Sequence, residues 1–302
     1  MKIRLLLNGQ KRENPRVNEA ITWVRQHHFF ALDLHTIYDP SEIDTMLRDA
    51  VEDGIERIIA GGGDGTLNLV LNALMRLPKE TRPEMAILPV GTANDFARAA
   101  GLPLDPLEAL LLAIDGSASS VDIGQVNERW FLNVASGGFG AQVTAETPPE
   151  LKALLGGAAY ALTGLIKLFS FLPIRGRMRI DNEIFEGRTF ATAVCNGRQA
   201  GGGMLLAPDA KVDDGRFDIV LYTLDDLPVP PTLAPPSSPL GWLLPFKKIF
   251  RASEVEFAPE EGIRRINLDG EPYEAERFLF RIRPHALQLI LPDKSPLLGG
   301  CL

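Results

Sequence analysis

A glycine-rich turn contains the residue types best suited to chemistry in this chain. The apolar run Ile58-Ile59-Ala60 ends in Gly61-Gly62-Gly63-Asp64-Gly65-Thr66, and a helical pattern follows from Leu67 to Arg76. Glycines let backbone N–H groups approach phosphate oxygens, and a helix N-terminus adds partial positive charge. Asp64 would repel phosphates unless a divalent cation lies between them, so the turn predicts a phosphate site that includes Mg²⁺.

The turn does not match two familiar nucleotide-binding motifs. No Gly-Lys-Ser/Thr follows it, which excludes a Walker A loop, and its spacing misses the dinucleotide pattern G-x-G-x-x-G. An ordinary glycine turn, in which Asp64 caps the next helix, is the alternative interpretation.

A second polar turn, Gly91-Thr92-Ala93-Asn94-Asp95-Phe96-Ala97, follows the strand predicted at Met85–Leu88. Ligands of parallel α/β sheets bind beyond the carboxyl ends of the strands, so we expect the two turns to share one crevice. The Thr92 hydroxyl could hydrogen-bond a phosphate or cap the following helix, and the residues alone favour neither.

The elements that must position these turns alternate between strand and helix. Apolar periodicity predicts strands at residues 3–7, 31–38, 55–60 and 84–89, and helices at residues 15–28, 41–53, 67–76 and 106–115. Ser41 is the expected N-cap of the second helix. Such alternation is typical of an α/β domain built on a parallel sheet.

The pattern changes near Asp122, where short strand-like runs begin to dominate. They fall at residues 129–135, 177–180, 189–196, 216–222, 254–257, 264–268 and 277–282, with one helical interruption at Glu150–Leu172. This predicts an α/β domain over residues 1–122 and a β-rich domain of sandwich type over residues 123–284. The proline-rich residues 226–241 are expected to form a loop.

Composition and charge exclude several classes of protein. The 302 residues carry a net charge of −8, which argues against nucleic acid as the main partner. Two cysteines give no disulfide framework and suit a reducing cytosol. The apolar stretch Ala153–Leu172 is long enough to span a membrane, but its glycines and Lys167 favour a buried or groove-lining helix.

Six short motifs follow one another in an order that is far more specific than any of them singly. They are Gly62–Thr66, Leu88–Phe96, Asn133–Gly140, Asn196–Gly203, Pro208–Gly215 and Asn267–Pro272. This series resembles the diacylglycerol kinase catalytic family, most closely its bacterial YegS-type lipid kinases, over nearly the whole chain. The resemblance implies a Rossmann-like α/β domain and a β-sandwich domain, with Mg-ATP in the cleft between them. It also suggests that Ala286–Leu291 returns to the first domain, which would then include residues 285–302.

The resemblance implies nucleotide contacts from the first glycine turn and from Thr92. The contacts of that turn involve Gly63, Asp64, Gly65, Thr66, Leu67, Asn68 and Leu69. A further nucleotide-binding threonine is expected on the second strand, where this chain departs from the family. Ile37 is nearest by spacing, and Thr36 beside it is the expected substitute.

A metal site and a general base in the second domain are also implied by the resemblance. Asp214 matches the metal position, and the main-chain carbonyls of Lys211 and Arg216 complete a donor set suited to Mg²⁺ or Ca²⁺. Asp214-Gly215 is also the signal of a type I′ hairpin turn, and both readings can hold together. Glu271 matches the base that would accept the proton of a lipid hydroxyl, whereas Asp-Gly-Glu-Pro by itself is more often a solvated turn.

These features predict an ATP- and Mg²⁺-dependent lipid kinase that phosphorylates a hydroxyl of phosphatidylglycerol or diacylglycerol. The alternatives are an NAD kinase, which shares the Gly-Gly-Asp-Gly turn, and a non-catalytic protein that binds nucleotide or lipid. The expected enzyme is cytoplasmic and contacts the membrane peripherally, partly through Trp242–Arg251, where Trp, Phe and Leu accompany three cations. That segment could instead be a buried strand or helix with Lys247 and Lys248 facing water.

Overall fold

A computed structural model describes residues 1–28, 32–138, 174–223, 247–259 and 264–300 of the chain. In these residues the α-helices are α1 (Pro15–His27), α2 (Ile43–Glu52), α3 (Asp64–Arg76), α4 (Asp95–Ala99) and α5 (Pro106–Asp115). The first strands are β1 (Ile3–Asn8), β2 (Asp33–Ile37), β3 (Arg57–Gly62), β4 (Glu84–Pro89), β5 (Ala118–Val126), β6 (Arg129–Phe131) and β7 (Val134–Gly138). The next are β8 (Ile174–Ile180), β9 (Glu183–Cys195), β10 (Gln199–Ala200), β11 (Met204–Leu205) and β12 (Phe217–Thr223). The last are β13 (Lys247–Ala252), β14 (Glu254–Pro259), β15 (Arg264–Leu268), β16 (Glu271–Ala275) and β17 (Phe278–Ile290).

The N-terminal strands form the predicted parallel sheet. Strands β4, β3, β1 and β2 lie side by side in that order, and all their pairings are parallel. Every residue of β3 is buried, because helices α2 and α3 pack on one face of the sheet and α1 and α5 on the other. A parallel sheet needs both faces covered in this way, which is why β3 is a continuous apolar run.

The start of helix α2 differs from the prediction. The expectation that Ser41 is its N-cap is wrong. The Asp39 side chain accepts a hydrogen bond from the backbone N–H of Ser41 at 2.9 Å. A short 3₁₀ turn, Pro40–Glu42, follows, and α2 starts at Ile43. Pro40 fits this first turn because its fixed φ suits a helix start and its missing N–H would have no partner there.

The C-terminal strands form a β-sandwich around an aromatic core. Their order is β16-β15-β7-β9-β8-β14-β17, with β12 paired to β9 and β13 paired to β12, all antiparallel. The rings of Phe131, Phe217, Phe278 and Phe280 are buried in the middle of this core, with centroids 5.7–6.3 Å apart. The predicted combination of an α/β part and a β-sandwich is therefore confirmed.

Strand β17 connects the two parts of the fold. Its first half pairs with β14 in the sandwich, and Leu289 near its end pairs in parallel with Met85 of β4. Along its length β17 also pairs with β5, with a break in register between Arg283 and Leu287. The buried Asp122 carboxylate stabilises this break, because it accepts hydrogen bonds from the N–H groups of Gly215 (2.6 Å) and His285 (2.9 Å).

Several predicted features lie outside the described residues. These are the helix Glu150–Leu172 with its apolar stretch, the proline-rich loop 226–241, and Trp242–Phe246 of the expected docking segment. The rest of that segment, Lys247–Arg251, belongs to strand β13. No helix in the described part of the chain is long and apolar enough to cross a membrane.

Candidate active site

A cleft of about 570 Å³ lies where the α/β part meets the sandwich. Its walls come from the ends of β1, β3 and β4, the open face of α3, strand β6 and the β15–β16 hairpin. It is lined by Asn8, Gln10, Lys11, Pro40, Gly63, Gly65, Thr66, Asn68, Leu69, Asn72, Arg76, Gly91, Thr92, Arg129, Leu268, Glu271, Pro272 and Tyr273. Arg76 is paired with Asp44, but Lys11 and Arg129 still outnumber the single lining carboxylate, Glu271, so the cleft attracts anions although the chain is acidic.

The first glycine turn opens α3 without a side-chain cap. Gly63 is the N-cap residue, its backbone is extended, and no side chain caps the N–H groups of the first turn. The alternative in which Asp64 caps the helix is therefore wrong, since Asp64 is itself the first helical residue. The N–H groups of this first turn face the cleft side of the sheet, where an anion can bind them.

The two glycine turns meet backbone to backbone. A Cβ atom at Gly91 would overlap the Cα atom of Gly63, and a Cβ atom at Gly63 would lie 3.2 Å from the Cα atom of Gly91, so Gly91 has no room for a side chain and Gly63 has little. Asn94, which has a positive φ of 51°, stabilises the second turn through its side chain. Its side chain accepts from the Gly91 N–H at 2.9 Å and donates to the Gly91 carbonyl at 3.0 Å. As a result, Thr92 is exposed at the cleft wall beside the first turn.

Asn8 is a site residue that the sequence reasoning missed. Its Nδ2 donates to the Thr66 hydroxyl at 3.0 Å, and its Oδ1 accepts from the Gln10 N–H at 2.9 Å. Asn8 ends β1, next to β3 in the sheet. A polar residue after a buried strand was the signal that located the two glycine turns, and the same signal would have located Asn8.

Asp64 points away from the cleft-lining surface and toward the start of α4. Its Oδ1 lies 3.5 Å from the Phe96 N–H, and its carboxylate also accepts from the backbone of Asp95. Burial, together with the nearby charges of Asp95 and Asp269, raises the pKa of Asp64 to about 6, although these hydrogen bonds act in the opposite direction. The Asp64 side chain therefore joins the two turns beneath the phosphate-binding surface.

Glu271 lies directly against the first glycine turn. A Cβ atom built on Gly65 would be 2.5 Å from Oε1 of Glu271. Glu271 is the first residue of β16 and follows Asp269 and Gly270, whose φ values of 51° and 103° make a tight hairpin between β15 and β16. The hairpin signal Asp-Gly therefore operates at residues 269–270, and its effect is to bring Glu271 to α3.

Asp269 anchors this hairpin from within. Its buried carboxylate accepts from the N–H groups of Leu132 (2.7 Å), Asn133 (2.9 Å) and Val134 (2.9 Å) and from Nδ2 of Asn68 (3.1 Å). Burial raises the pKa of Asp269, while the four donors act in the opposite direction. Because Asn68 belongs to α3, this network fixes the Glu271 hairpin to the helix that starts at the glycine turn.

The structure brings most of the expected nucleotide residues into one cleft, but not all. Gly63, Gly65, Thr66, Asn68, Leu69 and Thr92 line it together with Glu271. Leu67 is buried in the core between α3 and the sheet. Thr36 pairs with Leu7 inside the sheet and, like Asp64, is not among the lining residues.

The expected metal ligands lie apart from the cleft, in the loop before β12. Asp214 accepts from the Arg216 N–H at 3.1 Å and forms an ion pair with Arg251. The type I′ hairpin reading of Asp214-Gly215 is wrong, because β12 pairs with β9 and β13 rather than with the strand before it. Among the described residues, no group of three or more His, Cys, Asp or Glu side chains is placed to hold a metal ion.

Comparison with known proteins agrees with this geometry. The diacylglycerol kinase catalytic domain matches residues 2–126, and the YegS C-terminal NAD kinase beta sandwich-like domain matches residues 133–230. Two crystal structures from Bacillus anthracis share the fold, with TM-scores of 0.77 and 0.68 at 22% and 19% identity, the second described as a diacylglycerol kinase. They cover 97% of this chain and 95% and 97% of their own. The fold and site thus define a kinase whose catalytic domain is of the diacylglycerol kinase type.

Full-length relatives narrow the class to a family. Proteins named "Probable lipid kinase YegS-like" from Shewanella frigidimarina and Chromohalobacter salexigens are 40% and 42% identical to this chain. Each match covers 98% of this chain and 96% or 94% of the relative. The chain belongs to the family of YegS-like lipid kinases.

Proposed function

We propose that this chain is an ATP- and Mg²⁺-dependent lipid kinase that transfers the γ-phosphoryl group to a hydroxyl of phosphatidylglycerol or diacylglycerol. The observation that carries the proposal is the contact of Glu271 with Gly65, in the cleft that also contains Gly63, Thr66 and Thr92. A carboxylate beside phosphate-binding amides occupies the place that a base needs to activate an attacking hydroxyl.

The roles of the residues follow from their positions. N–H groups of the first turn of α3 and the Thr92 hydroxyl donate hydrogen bonds to phosphate oxygens of ATP. Glu271 accepts the proton of the lipid hydroxyl as its oxygen bonds to the γ-phosphorus. The bond from that phosphorus to the β–γ bridging oxygen breaks, and ADP leaves. Thr36 and Leu67 would contribute to nucleotide binding through backbone or neighbouring contacts.

Asp64 is the residue we propose to hold the Mg²⁺ that accompanies ATP. When bound, Mg²⁺ supplies charge neutralisation for the phosphate oxygens. The donor chemistry fits, because Asp64 is the carboxylate of the glycine turn itself and a cation would favour its ionised form. Its present hydrogen bonds to the start of α4 keep it beneath the phosphate-binding surface.

A second cation, Mg²⁺ or Ca²⁺, is proposed at Asp214 with the carbonyls of Lys211 and Arg216. These oxygen donors suit a hard cation, but Arg251 holds the Asp214 carboxylate in the structure. Arg251 is half-exposed and long, so it can swing away. We therefore propose that the cation binds Asp214 in exchange for Arg251 and has a structural role in the sandwich.

We also propose two domains, the first formed by residues 1–122 together with 285–302 and the second by residues 123–284. The enzyme is proposed to be cytoplasmic and to contact the membrane peripherally. Residues Trp242–Arg251 are the segment that the sequence offers for that contact. The names of the relatives, which describe them as probable lipid kinases, and the cleft of about 570 Å³ support a lipid acceptor.

The test offers the purified chain γ-labelled ATP and Mg²⁺ with separate candidate acceptors. The acceptors are phosphatidylglycerol, diacylglycerol and ceramide in mixed micelles, and NAD in solution. We expect label in one glycerol-based lipid and none in NAD. The Glu271→Gln variant is the negative control. Labelled NAD would support an NAD kinase instead, and ATP binding without transfer to any acceptor would support the non-catalytic alternative.

A further inference from the structure

The hairpin formed by β10 and β11, residues Gln199–Leu205, presents apolar side chains to solvent. Met204 is 38% exposed and Leu205 is 53% exposed. The turn between the strands is Gly201–Gly203, and all three glycines have positive φ values. A Cβ atom at Gly202 or Gly203 would have no heavy atom within 4 Å. The tip of the hairpin is therefore a thin projection with an apolar side.

The inward N–H groups of this tip are satisfied by protein rather than by water. Asp95, which is buried at the start of α4, accepts from the N–H of Gly202 at 2.8 Å and of Gly203 at 2.7 Å. Losing water is costly for a turn whose amides have no partner. Because Asp95 already pairs these two amides, the tip can enter a low-water environment without exposing them.

Cations surround the hairpin, and their charges are not paired with carboxylates. In the described part of the chain Arg98, Arg198, Lys211 and Lys247 form no ion pair. Each donates to backbone carbonyls instead: Arg98 to Ala93, Arg198 to Ala210 and Pro296, Lys211 to Pro296 and Leu298, and Lys247 to Leu206. Carbonyl groups carry no formal charge, so none of these four positive charges is neutralised by a direct ion pair within the described residues.

The connections show that these cations share one surface with the hairpin. The Arg198 carbonyl accepts from the N–H groups of Leu206 and Ala207, which follow β11. Arg198 and Lys211 both donate to the Pro296 carbonyl. The acids of this surface are Asp209, which is exposed, and Asp213, which accepts from the Gly299 N–H. With the buried Asp95 that holds the tip, four cations face three acids, so the surface is net positive.

We infer that the hairpin Gln199–Leu205 is a docking element for an anionic phospholipid bilayer. The argument is charge complementarity combined with an exposed apolar tip, which is the composition of interfacial binding sites. The inference rests on the proposed lipid kinase activity, because an enzyme with a bilayer acceptor must reach the bilayer surface. It adds a second contact to the one proposed for Trp242–Arg251, with Lys247 adjoining both.

The hairpin is also fixed relative to both halves of the cleft. On one side Asp95 holds its tip, while the preceding residue Asn94 holds the Gly91 turn. On the other side, Nδ2 of Asn133 donates to the Gln199 carbonyl at 2.7 Å, and the Asn133 N–H donates to Asp269. Docking of the hairpin therefore sets the height of the glycine turns and of the Glu271 hairpin above the lipid headgroups.

The test compares Leu205→Asp with Ile184→Asp in vesicle flotation. Both side chains are 53% exposed, but Ile184 lies near the start of β9, about 36 Å along the strand from Cys195 at the end that leads to the hairpin, at 3.3 Å per residue. With vesicles of equal parts phosphatidylglycerol and phosphatidylcholine, we expect Leu205→Asp to reduce the bound fraction at least fivefold and Ile184→Asp to leave it unchanged. Lys247→Glu should weaken binding about tenfold at low salt and little in 0.5 M NaCl. Wild type should not bind pure phosphatidylcholine.

Kinase assays with a short-chain acceptor separate this inference from the proposed function. Leu205→Asp should phosphorylate monomeric dihexanoyl phosphatidylglycerol or dihexanoylglycerol at the wild-type rate, with circular dichroism confirming its fold. Equal vesicle binding by Leu205→Asp and wild type would overturn docking through the hairpin. A wild-type dimer that Leu205→Asp converts to monomer would also overturn it, since the tip would then serve a second copy. If wild type phosphorylates neither short-chain lipid, the proposed function fails, and the flotation result still decides the docking surface.

Discussion

The carboxylate of Glu271 lies over the Cα atom of Gly65, so close that a Cβ atom there would be 2.5 Å from Oε1. The two residues are far apart in sequence and belong to different parts of the fold. Gly65 lies in the first turn of α3, whose N–H groups are proposed to bind phosphate, and Glu271 opens β16. Their contact therefore sets the distance between the phosphate-binding turn and the proposed base.

Gly65→Ala should move Glu271 without unfolding the protein. Alanine is favoured over glycine in a helix, so the thermal midpoint should stay equal or rise. The new methyl group must displace the Glu271 carboxylate, and a misplacement of about 1 Å can cost on the order of 10²-fold in rate. We expect kcat to fall by about that factor, measured with the acceptor identified in the labelling assay.

A double mutant shows whether the loss acts through Glu271. Gly65→Ala combined with Glu271→Gln should have the same kcat as Glu271→Gln alone, because the displaced group no longer functions. Multiplied losses in the double mutant would mean that the alanine disturbs phosphate binding instead.

Glu271→Gln should lower kcat by about 10²–10⁴-fold while ATP affinity stays near the wild-type value. Glutamine keeps the size and one acceptor oxygen of the side chain but cannot take the proton of the hydroxyl. Single-turnover phosphorylation and ATP titration measure the two quantities separately. A loss confined to ATP affinity would make Glu271 a binding residue.

The α/β part of the fold could largely be predicted from the sequence because its signals are local. Asn14 caps α1 by accepting from Arg16 and Val17, and Pro15 stands in the first turn. The apolar run of β3 and the glycines after it mark a buried parallel strand and its turn. Such features depend on residues within one or two turns of each other.

The sandwich was harder to predict because its strands depend on distant partners. The runs 277–282 and 286–291 were predicted as separate strands, but β17 is continuous from Phe278 to Ile290. The buried Asp122 holds the irregular stretch from 163 residues away. Strand β16 was not among the predicted strands. Pro272 in it cannot donate in a ladder, and it is tolerated there because β16 is an edge strand.

The site shows the same division. Sequence motifs identified the residues that face the cleft, such as Gly63, Thr92 and Glu271. They did not reveal that Asp95 accepts backbone N–H groups from the other part of the fold, or that Asp269 accepts those of Leu132, Asn133 and Val134. Those partners are about a hundred residues away or more, so only the folded structure identifies the roles.

Asp64→Asn should stabilise the protein at neutral pH. The folded-state pKa of Asp64 is raised from 3.8 to about 6, so the folded chain binds this proton more tightly than the unfolded chain. Protonation of Asp64 therefore contributes to the free energy of unfolding. This contribution is fully present below about pH 4 and is lost as the pH rises through about 6. Removing the charge should therefore add about 1–3 kcal/mol to the free energy of unfolding at pH 7 and almost nothing at pH 4.

Activity should have the opposite pH dependence, because the ionised Asp64 is the proposed partner of Mg-ATP. In the wild type, kcat/KM for ATP should fall as pH drops below about 6, and Asp64→Asn should be inactive throughout. Urea denaturation at both pH values checks the stability part. An equal gain at pH 4 and pH 7 would attribute it to packing and not to charge.

Mg²⁺ should raise the thermal midpoint of the wild type if a cation replaces Arg251 at Asp214. Asp214→Ala should abolish that rise, because a ligand stabilises only the state that binds it. Arg251→Ala should instead reach the full rise at lower Mg²⁺ concentration, since the competing guanidinium is gone. Identical midpoints with and without Mg²⁺ in wild type and Arg251→Ala would leave Asp214 as an ion-pair residue only.

Asp269→Ala should be the most destabilising of these changes. It leaves three backbone N–H groups and the Asn68 amide without their buried acceptor, and breaking such a network costs about 3–5 kcal/mol. Asp269→Asn should cost clearly less, because asparagine tolerates the positive φ of 51° and its Oδ1 still accepts from Asn133 and Val134. Urea denaturation gives both values.

Since Asp269 holds the hairpin that carries Glu271, kcat should fall in the asparagine variant while ATP affinity changes little. Equal losses of stability in the two variants would show that backbone conformation, and not the hydrogen bonds to the carboxylate, is what residue 269 contributes.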